Sequence, residues 1–413
     1  MIMDCTKYVG KCSCGRDHEL ETKMVVVEYD ALSRFEEYMA AVGLADKRRT
    51  VVYDSFVYGL TEGKHIKADQ EIVLPAQGLR SEDVLIEDMM TKLDRPEVLV
   101  AFGAGTIMDF GRYPAYKLGI PFVAIPTLAS SDGFTASICS VILKGQKKSI
   151  SMKAPALVVA DLDIIKGAPK RLVSSGINDI LAKYISLVDW KIAALVSGED
   201  YCPMVAGLAQ EALDIMRAAA DKMAATGEID HEAMTMAQMK SGLTMQLWPN
   251  SRAASGAEHL MAHLVEMHPP RFEEAEGIHG ECVGVGTFAA IREYHRLAAM
   301  TPKARPFQPL SRDWVLEKFG PRLCEGIMKE NENDVLATFD PQSIVEHWDE
   351  ICTIIAAIPS AEEMEALYKA VGAKYLPEHI GIDPALSEEM LPISATIRNR
   401  LTLIRMCRVL DFT

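Results

Sequence analysis

The sequence predicts a parallel α/β sheet domain followed by an almost wholly helical one. Three observations carry that reading. From residue 25 to about 165, short apolar runs alternate with helical patterns, as in a parallel sheet covered by helices. One run ends in Gly103-Ala-Gly105, a turn suited to a phosphate group. After Pro169, alanine, leucine and methionine recur at helical spacing through residue 300 and again from Trp314 to the end. Residues 1–168 are therefore expected to form an α/β nucleotide-binding domain, with 1–24 a cysteine-containing extension. Residues 169–413 are expected to form an all-α metal-binding domain.

The expected strands are Met24-Val-Val-Val, Thr50-Val-Val-Tyr, Glu71-Ile-Val-Leu, Val98 to Phe102, Pro121 to Ile125 and Ala156 to Ala160. Val98 to Phe102 is apolar throughout, as a strand buried on both faces requires. Gly103 and Gly105 then permit a tight turn, and a helix follows through Tyr116. The first amides of that helix lack internal partners and suit an anionic pyrophosphate. The turn departs from the usual dinucleotide pattern. Its third glycine is missing, and the strand Pro121 to Pro126 carries no acid at its end for a ribose hydroxyl. Asp54, closing the strand Thr50 to Tyr53, is the candidate instead. An acid there accepts from the ribose diol and repels a 2′-phosphate, favouring NAD over NADP. Its competing role is to cap a helix or begin a turn.

In the helical part, His259 and His263 lie four apart in Ser255-Gly-Ala-Glu-His-Leu-Met-Ala-His-Leu-Val-Glu266 and share one helix face. The pair lacks the glutamate directly after the first histidine that a metalloprotease uses as base. His279 begins a helix of small residues, Gly280 to Gly286, able to approach a neighbour closely. Asp179 is an acid inside an apolar helical pattern, where a lone buried carboxylate needs a cation or a full set of hydrogen bonds. Singly, each of these residues reads as an ordinary capped or solvated side chain. Together, two imidazoles and one carboxylate describe a metal site with open positions, the catalytic rather than the structural kind.

The stretches Gly103-Ala-Gly-Thr-Ile-Met-Asp109, Ala115 to Phe122, Ile125-Pro-Thr-Leu-Ala-Ser-Ser-Asp-Gly133, Ser255-Gly-Ala-Glu-His259 and His279 to Thr287 resemble the sn-glycerol-1-phosphate dehydrogenase family. The resemblance is to its bacterial, arabinose-operon-associated branch. That branch lies within the iron-alcohol-dehydrogenase and dehydroquinate-synthase-like superfamily. The likeness extends over most of the chain, including Ile358-Pro-Ser-Ala-Glu-Glu and Ile380-Gly-Ile-Asp-Pro. It implies that Asp54 binds the adenosine ribose and that Gly103, Ala104, Gly105, Thr106 and Ile107 cradle the pyrophosphate. Thr127 and Ser130 would line the nicotinamide, and Asp132 would lie near nicotinamide and substrate. Asp179, His259 and His279 would hold zinc or nickel, with His263 beside the substrate. Where the family has a serine four residues after the Asp of its Asp-Gly pair, this chain has Ala136, and Ser137 is the expected substitute.

The implied chemistry is a metal-dependent interconversion of dihydroxyacetone phosphate and sn-glycerol 1-phosphate with NAD(H) or NADP(H). Asp132 and His263 are the expected catalytic proton relay, and Asp179 also faces the substrate. Arg252, Lys147, Lys148 and Lys183 are the expected cations for the substrate phosphate. A dehydroquinate-synthase-type lyase, a glycerol dehydrogenase acting on the unphosphorylated polyol and a noncatalytic sensor are the rival readings. The lyase would need more clustered basic residues than the sequence supplies. Turnover that depends on the substrate phosphate separates the polyol enzyme, and the intact metal residues disfavour the sensor.

The 413 residues, 49% of them hydrophobic, suffice for two sizeable cores, and a net charge of -15 argues against a nucleic-acid partner. No run of about 18 apolar residues suggests a membrane span, and no signal-peptide core opens the chain, so a soluble cytoplasmic protein is expected. The resemblance also implies a homodimer. Nine scattered cysteines read as reduced thiols. Cys5, Cys12, Cys14 and His18 offer zinc donors, but their spacing is not that of paired Cys-x-x-Cys knuckles. A hairpin with reduced thiols is the preferred reading there. Pro302 to Pro309 is the expected internal loop.

Overall fold

The computed structural model describes the whole chain except residues 144, 145 and 249 and the side chains of 146–149. The chain divides into two compact units. Unit 1 comprises Met1–Gly176 and Ile229–Asn250, and unit 2 comprises Ile177–Glu228 and Ser251–Thr413. The α/β unit thus regains a segment from the helical region, a return that one boundary after residue 168 does not contain.

Unit 1 is built on seven strands: β1 (Ile2–Asp4), β2 (Met24–Glu28), β3 (Arg49–Asp54), β4 (Gln70–Leu74), β5 (Val98–Gly103), β6 (Phe122–Pro126) and β7 (Leu157–Asp161). Their spatial order is β1-β2-β7-β6-β5-β3-β4. The six strands expected from the apolar runs are all present and parallel. The added edge strand β1 runs antiparallel to β2, pairing Met3 with Val25. Strands β3, β5, β6 and β7 are buried along their whole length. Alternate residues serve opposite faces. Val51, Tyr53, Val100, Phe102, Val123, Ile125 and Val159 join Phe35, Tyr38 and Met39 of the helix Phe35–Ala41 in one core. On the other face, the helix Gly105–Leu118 approaches so closely that a Cβ on Gly111 would fall 2.6 Å from the Phe122 ring and 2.8 Å from Ala101 Cβ.

Register sets the functional end of this sheet. From β3 the chain proceeds outward to β4, and from β5 it proceeds the other way to β6. Val52 pairs with Ala101, so the carboxyl ends of β3 and β5, at Asp54 and Gly103, lie side by side at a topological switch point. Ligands of open α/β sheets bind at such points.

Unit 2 is mostly helical, with one exception to the expected loop: Pro302–Ala304 is a strand paired antiparallel with Leu410–Phe412. The helices Ala257–Glu266 and His279–Ala298 pack backbone against backbone, and a Cβ on Gly286 would come within 2.2 Å of the Glu258 carbonyl oxygen. The small residues after His279 thus serve the close approach expected of them. Asp189 ties the unit together, accepting from Tyr294 Oη at 2.6 Å and from the amides of Ala257 and Leu403 at 2.8 Å each. A second buried node pairs Arg405 and Arg408 with Asp334 at 2.7 and 2.6 Å. Among the described residues no helix is long and apolar enough to cross a membrane.

Candidate metal centre and dinucleotide turn

Unit 2 brings Asp179, His259 and His279 together, each offering one ligand atom within 4.8 Å of the others. Asp179 lies near the end of the helix Lys170–Leu181 and is fully buried. His259 lies in the first turn of its helix, and His279 opens the next. Asp179 Oδ1 is 3.4 Å from His259 Nε2 and 3.6 Å from His279 Nε2. A tetrahedral ion with bonds of about 2.1 Å spaces its donors roughly 3.4 Å apart, so these separations suit a shared ion.

The surrounding hydrogen bonds fix which nitrogens face inward. His259 Nδ1 donates to Glu258 Oε1 at 2.8 Å, and His279 Nδ1 donates to Glu266 Oε1 at 2.8 Å. Glu258 is itself held by the Gly256 amide at 2.7 Å. With both Nδ1 protons so placed, the inward Nε2 atoms are lone-pair donors, the carboxylate–histidine arrangement of metal sites. Three acceptors converge there, and only a positive charge, a proton or a cation, relieves their repulsion.

The titration of these groups shows the same demand. Burial would raise the Asp179 carboxyl, but Lys183 and the two histidines hold it well below the usual carboxylate range. Burial would lower His259, but hydrogen bonds to Asp179 and Glu258 push it up to about 9. His263 is not among the clustered donors. Its ring centre lies 6.2 Å from that of His259 and 6.1 Å from that of His279. Burial lowers His263 to about 3, against the opposing pull of Glu266 and with the positive charges of His279, His259 and Arg398 adding to the effect. His279 is 38% exposed while Asp179 is sealed, so the cluster opens toward solvent on the His279 side.

In unit 1, the turn after β5 has the geometry expected of it. Gly103 is required because a Cβ would strike Ile107 Cβ at 2.8 Å, whereas Gly105 faces open space and leaves the amides above it accessible. The helix Gly105–Leu118 has no acidic residue in its first turn and no side-chain cap from Ala104. The role of the missing third glycine, close helix packing, is taken by Gly111. Asp54 does cap a helix: its Oδ1 accepts from the amides of Phe56 and Val57 at 2.9 and 2.8 Å. Thr127 donates its amide to the Gly103 carbonyl at 3.2 Å, which sets it beside the turn.

Asp132 is buried and accepts from Ser241 Oγ at 2.8 Å. Ser241 lies on the helix His231–Leu247, whose Gly242 passes so close that a Cβ would meet Thr135 Oγ1 at 2.1 Å. Ala136 is buried in this same packing, whereas Ser130 and Ser137 are half-buried. Arg112 straps the segment by donating to the carbonyls of Gly133 at 2.8 Å and Ile138 at 2.5 Å.

The expected phosphate cations fare differently. Arg252 is buried, donates to Glu199 Oε1 at 2.6 Å and to the Leu401 carbonyl at 2.8 Å, and is thereby committed to structure. Lys183 is no surface charge: it is fully buried and donates to the Asp179 carbonyl at 2.8 Å. The side chains of Lys147 and Lys148 lie outside the described residues. Arg398, which sequence reasoning did not single out, is exposed and near enough to depress His263. The orienting carboxylates Glu258 and Glu266 were also missed. Their signal was present, since Glu266 falls seven residues, two helical turns, after His259.

The model of the iron-containing alcohol dehydrogenase family matches residues 26–169. The fold is similar to a crystal structure of an iron-containing alcohol dehydrogenase from Corynebacterium glutamicum, with a TM-score of 0.61 at 15% identity, over 94% of this chain and 95% of that one. Glycerol-1-phosphate dehydrogenase (NAD(P)+) from Geobacillus stearothermophilus is 30% identical over 413 residues, 97% of this chain and 96% of the relative. The protein of that name from Halalkalibacterium halodurans is 30% identical over 98% of this chain and 97% of its own length. With identity sustained at that level over nearly the full length of both partners, the chain belongs to the glycerol-1-phosphate dehydrogenase family.

Proposed function

We propose that this chain interconverts dihydroxyacetone phosphate and sn-glycerol 1-phosphate, using a nicotinamide dinucleotide and one divalent cation. The observation that carries the reading is the convergence of Asp179, His259 and His279, with each imidazole held by its own glutamate. Asp179 Oδ1 and the two Nε2 atoms would hold the cation, zinc or nickel, for which imidazole and carboxylate donors are both suited. Gly103, Ala104, Gly105, Thr106 and Ile107 would receive the pyrophosphate on the amides of the helix start. Asp54, with Oδ1 spent on its cap, would meet the ribose diol through Oδ2. Thr127, Ser130 and Ser137 would line the nicotinamide side.

When bound, the cation polarises the substrate's reacting oxygen and the nicotinamide gives or takes the hydride. His263 would act as acid–base group for the proton on that oxygen, and Asp132, oriented by Ser241, is the second proposed acid–base residue. Glu258 and Glu266 keep the two ligand imidazoles in the tautomer that presents Nε2 inward. For the substrate phosphate we assign Arg398 in place of Arg252, because Arg252 is already paired and Arg398 is exposed near His263. The enzyme is further proposed to act as a homodimer in the cytoplasm. The nine cysteines, none in a disulfide among the described residues, support a reducing compartment.

The test is NADH oxidation with dihydroxyacetone phosphate, in protein stripped of metal and resupplied with zinc or nickel, with chiral assignment of the product. Metal-restored turnover giving sn-glycerol 1-phosphate is expected. Absence of oxidation with every divalent metal would reject the proposal.

A further inference from the structure

We propose that the N-terminal hairpin of unit 1 is a second metal site, taking a zinc-like ion on Cys12 Sγ, Cys14 Sγ and His18 Nε2. The reading is independent of the proposed dehydrogenase chemistry. Gly10–Lys11 and Asp17–His18 pair antiparallel, with Gly10 opposite His18 and Lys11 opposite Asp17. The turn between them is closed by Cys12 N donating to the Arg16 carbonyl at 2.9 Å and Gly15 N donating to the Cys12 carbonyl at 3.0 Å. Gly15 adopts φ +84, a left-handed conformation that favours glycine. This turn folds both sulfurs back onto the histidine, so that the three donor atoms lie within 4.8 Å of one another.

Distances and protonation both suit an ion. Cys14 Sγ and His18 Nε2 are 3.4 Å apart. Bonds of about 2.3 Å to sulfur and 2.05 Å to nitrogen at a tetrahedral angle place such atoms roughly 3.6 Å apart. His18 is 2% exposed, and its Nδ1 lies 2.9 Å from the Leu247 carbonyl oxygen. A carbonyl only accepts, so Nδ1 carries the proton and Nε2 turns a lone pair toward the sulfurs. That is how a metal-bound imidazole is held. A thiol hydrogen bond from Cys14 alone would account for one sulfur at Nε2, but not for the second beside it.

An ion would also strengthen so short a hairpin. Two strands of two residues bury too little to persist alone, and metal binding supplies folding free energy to such small elements. Cys5 is not a member: it is buried, its Sγ donates to the Met3 carbonyl at 3.7 Å, and burial pushes its thiol up to about 12.

The test uses the full-length protein, kept reduced and loaded with Co2+ in place of zinc. The Asp179 centre offers no sulfur, so a near-ultraviolet thiolate-to-cobalt charge-transfer band reports the hairpin alone. The expected result is two cobalt ions per chain with the band present. Cys12→Ser/Cys14→Ser should lose the band and one ion while keeping turnover, and His259→Ala should lose the other ion while keeping the band. A wild-type chain that binds cobalt without a thiolate band would overturn the proposal, whether or not the serine variant folds. So would a folded Cys12→Ser/Cys14→Ser variant with unchanged cobalt content.

Discussion

Replacing Gly286 by alanine tests whether the packing of two helices sets the metal geometry. The added Cβ would lie 2.2 Å from the Glu258 carbonyl oxygen, 3.0 Å from its carbon and 3.2 Å from its Cα, all backbone atoms unable to rotate aside. Reaching an ordinary contact of 3.4 Å needs about 1.2 Å of separation between the helices that carry His259 and His279. Metal sites tolerate roughly 0.2 Å in ligand distance. Alanine is the better helix former by about 1 kcal/mol, so propensity alone would stabilise the variant. Overpacking costs about 1–3 kcal/mol, and a backbone clash belongs at the upper end. A net loss of about 2 kcal/mol follows, lowering the melting temperature by roughly 4–8 °C for a unit of this size. Thermal unfolding of the metal-free protein reads that packing loss, and metal titration should then show affinity reduced at least tenfold. A variant that melts at or above the wild-type temperature and binds metal equally well would refute the reasoning.

Four further outcomes are expected. His259→Ala should abolish turnover and the metal of the Asp179 centre while NADH binding, followed by fluorescence, persists; full activity in metal-free buffer would sink the metal chemistry. Arg398→Ala should raise KM for dihydroxyacetone phosphate about 10- to 100-fold through loss of a charge-assisted bond, with kcat largely kept; an unchanged KM would reassign the phosphate. Arg405→Ala should cost about 1–3 kcal/mol in denaturant unfolding, because buried Asp334 loses its partner at 2.7 Å but keeps Arg408 at 2.6 Å. Burial outweighs the bonds from Tyr294 and Leu403 and the Ala257 amide to push Asp189 up to about 6, from an ordinary 3.8. A raised acid stabilises the fold below its unfolded pKa and loses that contribution as pH climbs through the folded value. Wild-type stability relative to Asp189→Asn should therefore fall by about 2 kcal/mol between pH 4 and pH 7, and a constant difference would contradict the shift.

Much of the fold was legible because a doubly covered parallel strand must be apolar throughout. Val98 to Phe102 meets that condition along its whole length, whereas the edge strand Gln70–Leu74 alternates buried and exposed residues. Asp179 stood out because an acid on an apolar face carries a desolvation cost that demands an explanation. Other features leave no local mark. The helix His231–Leu247 has the same alanine and methionine character as its neighbours, so nothing in its composition returns it to unit 1. Pro302–Ala304 becomes a strand only because the chain end pairs with it. Arg252 and Lys183 look like surface charges in sequence, and only tertiary partners make them structural. Gly111, two turns into its helix, does the packing work expected of a glycine inside the turn itself, so a search by spacing passes over it.

The interrupted course of unit 1 bears on how the chain is made. Synthesis runs from the N-terminus, and domains generally fold as they emerge. Here all seven strands have appeared by Asp161, yet the helix that holds Asp132 through Ser241 and packs Gly242 against Thr135 arrives only by residue 247. Until then the segment Asp132–Phe134 lacks its cover. A nascent chain must therefore carry an unfinished α/β unit through the making of residues 177–228, and a recombinant fragment ended at residue 176 would keep it unfinished. Expressing the α/β unit alone would require splicing 229–250 back onto it by a linker.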